Sequence, residues 1–573
     1  MTDRQQVDHG PWPERALLLA ALGGACGFLF YHLTSGMRPG MWTDQPLRMA
    51  AAAFVVVGGI LVAFSLERLR WTWTLAFAAG GAAIVSLVTA WNGTPAGWGA
   101  DEGWQFFASL IAVAVAVPLF QAARDAGGRR FDTAAVHGHV WTNVILGGAA
   151  LAFTGASLLL ILLLAELFSL IGVDVLRRLM ERGWFQLSLV GTAFGGAVGL
   201  LRDRDSVLGT LQKVARAILS VLAPVLAAGL LLFVLALPFT GLEPLWSKTK
   251  STTPLLLLCV VAAVVLVNAT TGNSEEEEAR SPLLRWSGVA LIAVMLPLIA
   301  VAAVSLGKRI GQYGYTPERL WAAVFVIVAA SAALGYLLSL IRGRLAWPSA
   351  LRRTNVRLAA GICLLALFLA SPILSFGSVS AHDQLARLRD GRTPPERFDW
   401  AAMRFDFGPA GRKALEQLAA SGPAPLRARA VEWLKAEERY ALTESTDTTS
   451  TTRPVGEPRL IVEPSGSPIP QPLKERIGQA GLCGAALCRL IVHGNATAIL
   501  VVGSCDTCPP HVLIYRQEPE GGWTDEPPPP PRVDVVLPAQ RPSDTPPQGR
   551  IEVRTIEKQQ VFVDGKPVGP LFD

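Results

Sequence analysis

Charged residues are scarce in this chain. They make up 17% of its 573 residues, whereas 51% of the residues are apolar. In an ordinary soluble protein about a quarter of the residues are charged, and the mean hydropathy here is high, at +0.38. The composition therefore excludes an ordinary soluble protein and predicts an integral membrane protein.

Several functional motifs are absent as well. The sequence has no glycine-rich phosphate loop ending in Lys and Ser or Thr, no His-Glu-x-x-His helix and no Gly-x-Ser-x-Gly elbow. We therefore expect no ATP-driven pumping by this chain alone, and no metal or cofactor. The first residues also lack the features of a removable signal peptide, so we expect the first apolar block to be retained.

Apolar residues are concentrated in eleven blocks, each about long enough to cross a ~30 Å hydrocarbon layer as a helix. The block at 185–201 is short and glycine-rich, so it either spans the membrane or is half-inserted. Its Gly191, Gly195 and Gly199 are spaced four residues apart, which predicts close helix packing. The eleven blocks are residues 15–33, 49–66, 71–91, 106–122, 140–171, 185–201, 214–239, 254–269, 286–306, 321–341 and 356–374.

Arginine and lysine flank these blocks, and both residues are retained preferentially on the cytoplasmic side of a membrane. With eleven spans and a cytoplasmic N-terminal segment at 1–14, eighteen of them lie inside and ten outside. If block 185–201 does not span, the better arrangement has the N-terminus outside, with sixteen inside and twelve outside. Both arrangements place residues 376–573 outside the cytoplasm. We therefore predict a multi-pass protein of a bacterial inner membrane, with a transmembrane domain at 15–375 and a periplasmic C-terminal part.

The net charge of +6 is explained by the same arginines. Because they lie beside the apolar blocks, they indicate membrane orientation and not nucleic-acid binding. The predicted partners are the lipid bilayer and an envelope protein, lipid or glycan.

After about residue 376 the long apolar blocks stop. Residues 376–442 have the apolar spacing of helices and predict a short helical region against the membrane. Residues 443–458 are rich in Ser, Thr and Pro, which is typical of a flexible linker.

Residues 459–573 contain β-branched runs separated by turn signals. The pairs Gly494-Asn495 and Asp564-Gly565 suit tight hairpins. We predict a small antiparallel β domain with a proline-rich excursion at 527–531. The complete fold prediction is an all-α polytopic membrane domain of about eleven transmembrane helices, followed by the helical region and this β domain.

Four of the seven cysteines lie in the predicted β domain, at Cys483, Cys488, Cys505 and Cys508. In a reducing cytosol their spacing would favour zinc, and the last pair has the two-residue spacing of thiol oxidoreductases. In an oxidising periplasm, thiols form disulfides that stabilise small domains. We predict two disulfides and leave open which of the three pairings occurs.

Candidate ligand-binding residues lie in the predicted outer loops. The stretch from residue 307 to 321 supplies cations, phenols and an amide that suit an anionic or sugar-like headgroup, although Thr316 and Pro317 also make a good helix start. Inside the membrane, Glu166 is the main candidate for a coupling carboxylate, with an interfacial position as the alternative. Asn268 lies near a span end, where interfacial hydrogen bonding is expected. The outer-loop candidates are Arg309, Gln312, Tyr313, Tyr315, Arg319, Asp101 and Glu102.

Four stretches of this sequence resemble a family of bacterial polytopic membrane proteins known as domain of unknown function 4153. The resemblance covers about residues 10–420, leaves the β domain outside, and implies an architecture but no activity. The stretches are "VWTNVILGGAALAFTGASLLLILLLAELFSLIG", "LALPFTGLEPLW", "RIGQYGYTPERLWA" and "SAHDQLARLRDGRTPPERFDWAAMRFDFGPAGRKALEQL".

Three functional hypotheses remain. The sequence favours a non-enzymatic envelope protein, a scaffold whose membrane domain presents a periplasmic module, because ionisable residues are scarce inside the predicted spans. The second hypothesis is a secondary transporter of a small or lipidic solute, for which we detect no internal repeat. The third is a glycosyltransferase-like enzyme with a lipid-linked donor, which would use an outer-loop carboxylate such as Asp101 and an arginine such as Arg309 to hold phosphate.

Overall fold

The chain forms two compact units, Met1–Arg439 and Tyr440–Asp573. In these units the computed structural model describes residues 12–35, 45–93, 100–128, 132–242, 252–436, 460–464, 467–479, 483, 488–493, 496–502, 511–517, 522–525, 551–555, 559–563 and 566–572.

Apolar helices make up most of the first unit. Each overlaps one of the predicted blocks, apart from α6, which lies in the connection between α5 and α7. The helices are α1 Glu14–Thr34, α2 Pro46–Ser65, α3 Trp71–Asn92, α4 Ala100–Asp125, α5 Thr133–Leu170, α6 Val175–Met180, α7 Gly183–Arg202, α8 Asp205–Thr240, α9 Thr252–Thr271, α10 Pro282–Tyr313, α11 Pro317–Gly343 and α12 Trp347–Ala370.

Ten stretches of the described chain are long and apolar enough to cross a membrane. The last of them, Pro317–Ala370, contains both α11 and α12. The hydroxyl oxygens of Ser339 and Thr354 lie 2.7 Å apart. Before and after this contact, Gly335 lies against Leu358 and Gly343 against Ala350, so the two helices run antiparallel. The predicted polytopic fold is therefore confirmed, with ten candidate membrane-spanning stretches among the described residues, the last of them made of two helices. The glycine-rich block forms α7, which is one of the ten stretches.

Helices α1 and α7 pack with their backbones in contact. A Cβ atom added at Gly191 would overlap the carbonyl oxygen of Gly23, and one added at Gly23 would overlap that of Gly191. Gly195 lies in the same way against Leu19, and Gly199 against the first turn of α1. These contacts follow opposite orders along the two helices, so α1 and α7 are antiparallel. The four-residue glycine spacing therefore produces the close packing that it predicts.

Charged side chains join the ends of α1, α2 and α7. Glu67 lies 3.2 Å from Arg15 and also pairs with Arg202. Arg15 lies 3.5 Å from Asp203. Both arginine side chains are buried, with 10% and 9% of their surface exposed. Buried charges are tolerated when they are paired, so this cluster fixes the relative positions of three helix ends.

Two further buried arginines act in the same way. Arg124 donates to the carbonyl oxygen of Ser65, which ties the end of α4 to the end of α2. Arg352 of α12 donates to the carbonyl oxygen of Thr271 at 3.0 Å and pairs with Glu278 at 2.9 Å, which ties α12 to the end of α9. We name this end of the membrane domain the arginine end. The opposite end, from which the chain leaves after α12, is named the tail end.

The run of glutamates at 275–278 also belongs to the arginine end. Glu277 pairs with Arg216 of α8 and accepts a hydrogen bond from the backbone amide of Asn273 at 3.0 Å. Burial alone would raise the pKa of Glu277, but these two hydrogen bonds hold it below its ordinary value. The carboxylate is therefore kept charged and fastens the α9–α10 connection to α8.

Three short helices follow α12 within the same unit. They are α13 Phe376–Arg389, α14 Gly408–Ser421 and α15 Ala424–Lys435. A 3-10 turn at Pro395–Arg397 and a π-helical turn at Ala402–Asp406 connect the first two. We name α13 to α15 the membrane-proximal helices, and they are the small helical region that the sequence predicts.

The second unit is a β domain with two sheets. The first sheet has the order β1-β2-β3-β4-β5 and the second the order β6-β7-β8. The elements are β1 Leu460–Glu463, α16 Gln471–Gln479, β2 Cys488–His493, β3 Thr497–Val502, β4 His511–Gln517, β5 Trp523–Asp525, β6 Ile551–Thr555, β7 Gln559–Val563 and β8 Lys566–Phe572.

The strand pairs are antiparallel, as predicted, except that β1 lies parallel to β2. The exception has a simple cause, because α16 lies between β1 and β2 in the sequence and returns the chain to the same end of the sheet. His493 pairs with Thr497, and Val563 pairs with Lys566. Antiparallel strands therefore meet at both predicted hairpins.

Some predictions concern residues outside the described part of the chain. These are the linker at 443–458, the proline-rich stretch at 527–531, and the cysteines Cys505 and Cys508.

Candidate functional site at the tail end of the membrane domain

Asp101, at the start of α4, holds the N-terminus of α13. Its side chain is buried, with the residue only 4% exposed. One carboxylate oxygen accepts hydrogen bonds from the backbone amide of Gly377 and the hydroxyl of Ser375, both at 3.0 Å. The Ser375 hydroxyl in turn accepts from the backbone amide of Ser378 at 3.1 Å. A carboxylate in this position satisfies free amides of the first helical turn and complements the helix dipole.

Glu102 lies beside the start of the next membrane-proximal helix. A Cβ atom added at Gly408 would overlap the Glu102 carboxylate, and Gly408 has a φ of +59°, which favours glycine. The backbone carbonyl of Glu102 also accepts from the Asn92 side chain at 3.1 Å. The two adjacent acids at the start of α4 therefore face the N-termini of α13 and α14.

The second half of α13 binds the turn that connects α10 to α11. The backbone amide of Tyr315 donates to Asp383 at 2.8 Å. The Gln384 amide donates to the carbonyl oxygens of Tyr313 and Tyr315 at 2.8 and 3.0 Å. Arg387 donates to the last carbonyls of α10, those of residues 310 and 311, at 3.2 Å each. Backbone groups left free at a helix end and turn are thus satisfied by side chains from α13.

Arg319 is directed at the same turn. Its guanidinium donates to the carbonyl oxygens of Tyr313 and Gly314 at 3.3 and 2.8 Å, and lies 5.5 Å from the centre of the Tyr313 ring. Thr316 accepts from the Arg319 backbone amide at 3.4 Å, as expected for the cap of α11. Arg319 therefore shapes this turn through contacts within the protein.

Aromatic side chains connect the first residue of α13 to α4 and α11. Trp321 lies against Phe376, with ring centres 5.1 Å apart, and against Trp104, with centres 5.8 Å apart. Trp321 and Phe376 are buried, at 4% and 7% exposed. Since Trp104 follows Asp101 on α4 and Trp321 follows Arg319 on α11, this contact joins both anchoring regions into one interface.

The predicted outer-loop residues all lie at the tail end, but they form two groups. Asp101 faces the N-terminus of α13 and Glu102 that of α14, whereas Tyr313, Tyr315 and Arg319 lie beside residues of α13 six to ten positions after Gly377. At 1.5 Å per residue this separation is roughly 9 to 15 Å. The arrangement therefore places the two carboxylates and the turn on different parts of one surface.

The exposure of the predicted residues differs between the two groups. Tyr313 and Tyr315 are 60% and 38% exposed, and Arg309 and Gln312 are also exposed. These side chains remain accessible to a ligand, whereas the Asp101 carboxylate is covered.

Glu166 lies on α5, one turn before the helix ends at Leu170, and its side chain is exposed. Its place near the helix end agrees with the interfacial alternative. Its role as a coupling carboxylate is a prediction that these contacts do not test.

The sequence did not indicate that Ser375, Asp383, Gln384 and Arg387 anchor α13. The available signal was an aspartate and an arginine four residues apart on a short helix, and they do form an ion pair at 3.3 Å. That spacing is common on exposed helices, so it does not by itself show that α13 packs against the membrane domain.

A buried hydrogen-bond network near the arginine end was also missed. The Asn355 amide donates to the Asn268 oxygen at 2.6 Å and lies 3.1 Å from the His137 ring. Asn268 donates to the Tyr336 hydroxyl at 2.7 Å, and Tyr336 is 1% exposed. The network connects α5, α9, α11 and α12, and polar side chains of this kind hold helices together in membranes.

In the β domain, Cys483 and Cys488 form a disulfide with their Cα atoms 5.7 Å apart. Both cysteines are buried beside Leu473 and Ile477 of α16. The described residues contain no group of three or more His, Cys, Asp or Glu that could hold a metal ion.

These contacts define an integral, multi-pass membrane protein that carries a set of helices docked on one end of its membrane domain. The family model described as a domain of unknown function, DUF4153, matches residues 47–418, and the chain belongs to this family. The match extends from α2 into α14, so it contains both anchoring groups and α13, and it ends before the β domain. The comparisons with curated proteins and with solved structures gave no match.

Proposed function

We propose that the protein is an inner-membrane scaffold whose membrane domain holds the membrane-proximal helices and presents the β domain in the periplasm to an envelope protein, lipid or glycan. The observation that carries this proposal is the attachment of α13 at both ends, through Asp101 at its start and the turn at 313–315 further along. A domain that is presented to a partner must be attached to a part of the protein that is fixed in the membrane. The family match ends at residue 418. We therefore assign the role that is common to the family to the membrane domain with α13, and the partner-specific role to the β domain.

The orientation in this proposal rests on charge. Buried, paired arginines gather at the arginine end, and the count of arginine and lysine favours that end as the cytoplasmic one. The tail end then faces the periplasm, where Cys483 and Cys488 are oxidised.

Thiol labelling tests this orientation. In intact cells, a membrane-impermeant maleimide is expected to label the cysteines of the β domain only after reduction, because in an oxidising compartment they are held as disulfides. A chain with Cys483 and Cys488 replaced by Ser provides the control for signal from the other cysteines. Labelling of the β domain without reductant would contradict a periplasmic disulfide.

Truncation tests the scaffold role. A chain ending after residue 439 keeps the whole first unit, so it should reach the membrane at about the abundance of the full chain. In a deletion strain with a measurable phenotype, it should nevertheless fail to restore function. Membrane abundance and complementation are measured in the same cells.

A second variant tests whether the turn at 313–315 takes part in the function. Tyr313→Ala removes an exposed phenol from the turn without altering its backbone contacts, and should weaken function only if the partner also contacts the turn.

Full complementation by the truncated chain would contradict the scaffold proposal. It would favour a function within the membrane domain, such as transport.

A further inference from the structure

The short helix α6 lies in the connection between α5 and α7, two helices long and apolar enough to span a membrane. Around it, apolar side chains face outward. Leu170, Ile171 and Val175 are 83%, 71% and 64% exposed. Exposed apolar residues directly after a membrane helix are stable when they contact lipid, so this connection lies where acyl chains meet headgroups.

A cavity of about 330 Å³ opens beside α6. Two arginines and a tryptophan line it together with two aliphatic residues, so one part of its wall is cationic and another apolar. Trp184 also contacts Phe28 of α1 edge to face, with ring centres 6.2 Å apart. The lining residues are Val175, Arg178, Leu179, Arg182 and Trp184.

The two guanidinium groups are available to a ligand. Within the described part of the chain, those of Arg178 and Arg182 form no ion pair or hydrogen bond. The nearby acid Asp174 is occupied by the Ser169 hydroxyl at 2.9 Å, and Arg177 lies 3.4 Å from that same hydroxyl. Glu181, next to Arg182 in the sequence, is exposed and forms no ion pair with either arginine in the described part of the chain. The cavity therefore has two cations without an ion-pair partner next to an apolar wall.

The position of these arginines is unusual. They lie at the tail end, opposite the arginine end, although arginine next to membrane spans is biased towards one side. A cluster of exposed cations at a membrane surface attracts anionic headgroups, whichever side it lies on. Guanidinium groups bind phosphate oxygens through charge-assisted hydrogen bonds, and tryptophan is favoured at the headgroup level.

We propose that this cavity binds the headgroup of an anionic phospholipid. Arg178 and Arg182 contact the phosphodiester, and Val175, Leu179 and Trp184 contact the glycerol and the first acyl carbons. A zwitterionic lipid binds more weakly because its own ammonium group competes for the phosphate. The proposal does not depend on which leaflet contains the tail end.

Lipid titration of the purified full chain in neutral detergent tests this site. Native mass spectrometry with dioctanoyl phosphatidylglycerol should show binding at least about tenfold tighter than with dioctanoyl phosphatidylcholine. The double variant Arg178→Gln/Arg182→Gln should lose about thirtyfold in affinity for phosphatidylglycerol, as two arginines near an anionic headgroup predict. Arg177→Gln removes a neighbouring charge outside the cavity and should change the affinity less than twofold.

Three results would overturn the proposal. Equal binding of the two lipids would remove the preference for an anionic headgroup. If Arg177→Gln lost as much affinity for phosphatidylglycerol as the double variant, the lipid would be attracted by the overall positive charge of the region and would not bind a specific site. Displacement of phosphatidylglycerol by inorganic phosphate at an equal concentration would identify free phosphate as the ligand. Melting temperatures of all variants establish that each is folded, which is expected because both substituted side chains are exposed.

Discussion

A Gly191→Ala variant is expected to be less stable than the parent chain by about 2 kcal/mol or more. The added methyl group would overlap the backbone carbonyl of Gly23, and a backbone cannot move aside as a flexible side chain can. Helices α1 and α7 would therefore separate along their whole contact, with the loss of packing that overfilled interiors show. Denaturation of the purified full chain in mixed micelles measures the difference.

Gly155→Ala is the matched control. It makes the same substitution within a membrane helix, but a Cβ atom there meets nothing within 4 Å. Alanine is also the better helix former by about 1 kcal/mol, so this variant should be as stable as the parent or more stable. Equal stabilities for Gly191→Ala and the parent would contradict the backbone contact between α1 and α7.

The membrane helices could be predicted because each leaves a local signal in the sequence. An apolar block about 20 residues long is unusual outside membranes, and the predicted blocks fall on the observed helices. The helix ends were less predictable. The block at 214–239 corresponds to α8, which begins nine residues earlier at Asp205, because the first part of the helix mixes polar and apolar residues and does not extend the apolar block.

The partner of α7 was not predictable from its own glycines. Gly191 and Gly195 indicate that another backbone approaches closely, but any of the other membrane helices could have supplied it. Gly23 and Gly27 in α1 have the same four-residue spacing, and a Cβ atom added at Gly27 would overlap the backbone of α7. The complementary spacing was the available signal, and a single sequence contains too many such pairs to select one.

The tail-end contacts were hidden for another reason. The sequence indicated Asp101 and Glu102 as candidate ligand-binding residues because they are acids next to a span. In the structure, Asp101 bonds to a backbone amide 276 residues away. Every residue except proline has a backbone amide, so no sequence motif identifies the one that Asp101 binds. The contact depends on how α13 folds back onto the membrane domain.

The parallel pairing of β1 with β2 shows the same limit in the β domain. Alternating apolar residues identify strands, and turn residues identify hairpins. Whether β1 lies parallel or antiparallel to its neighbour depends on α16, whose apolar residues Leu473 and Ile477 pack onto the sheet. That packing is a tertiary interaction that strand patterns do not record.

An Asp101→Ala variant is expected to release the start of α13 from the membrane domain. The substitution leaves the buried amide of Gly377 and the hydroxyl of Ser375 without their acceptor, and hydrogen bonds to a charged group contribute about 1.5 to 3 kcal/mol each. Local opening of α13 should therefore become at least about a hundredfold more frequent. The rate of tryptic cleavage after Arg387, followed by mass spectrometry on the purified full chain, reports this opening.

Two variants make the Asp101→Ala experiment specific. Asp101→Asn keeps an oxygen that can accept from Gly377, so its cleavage rate should lie much closer to that of the parent. Asp390→Ala removes an aspartate at the end of α13 whose ion pair with Arg392 is more than half exposed, and exposed pairs contribute little. It should leave cleavage after Arg387 nearly unchanged. If Asp101→Ala is cleaved no faster than Asp390→Ala, then Asp101 does not anchor α13, and the scaffold proposal loses the contact on which it depends.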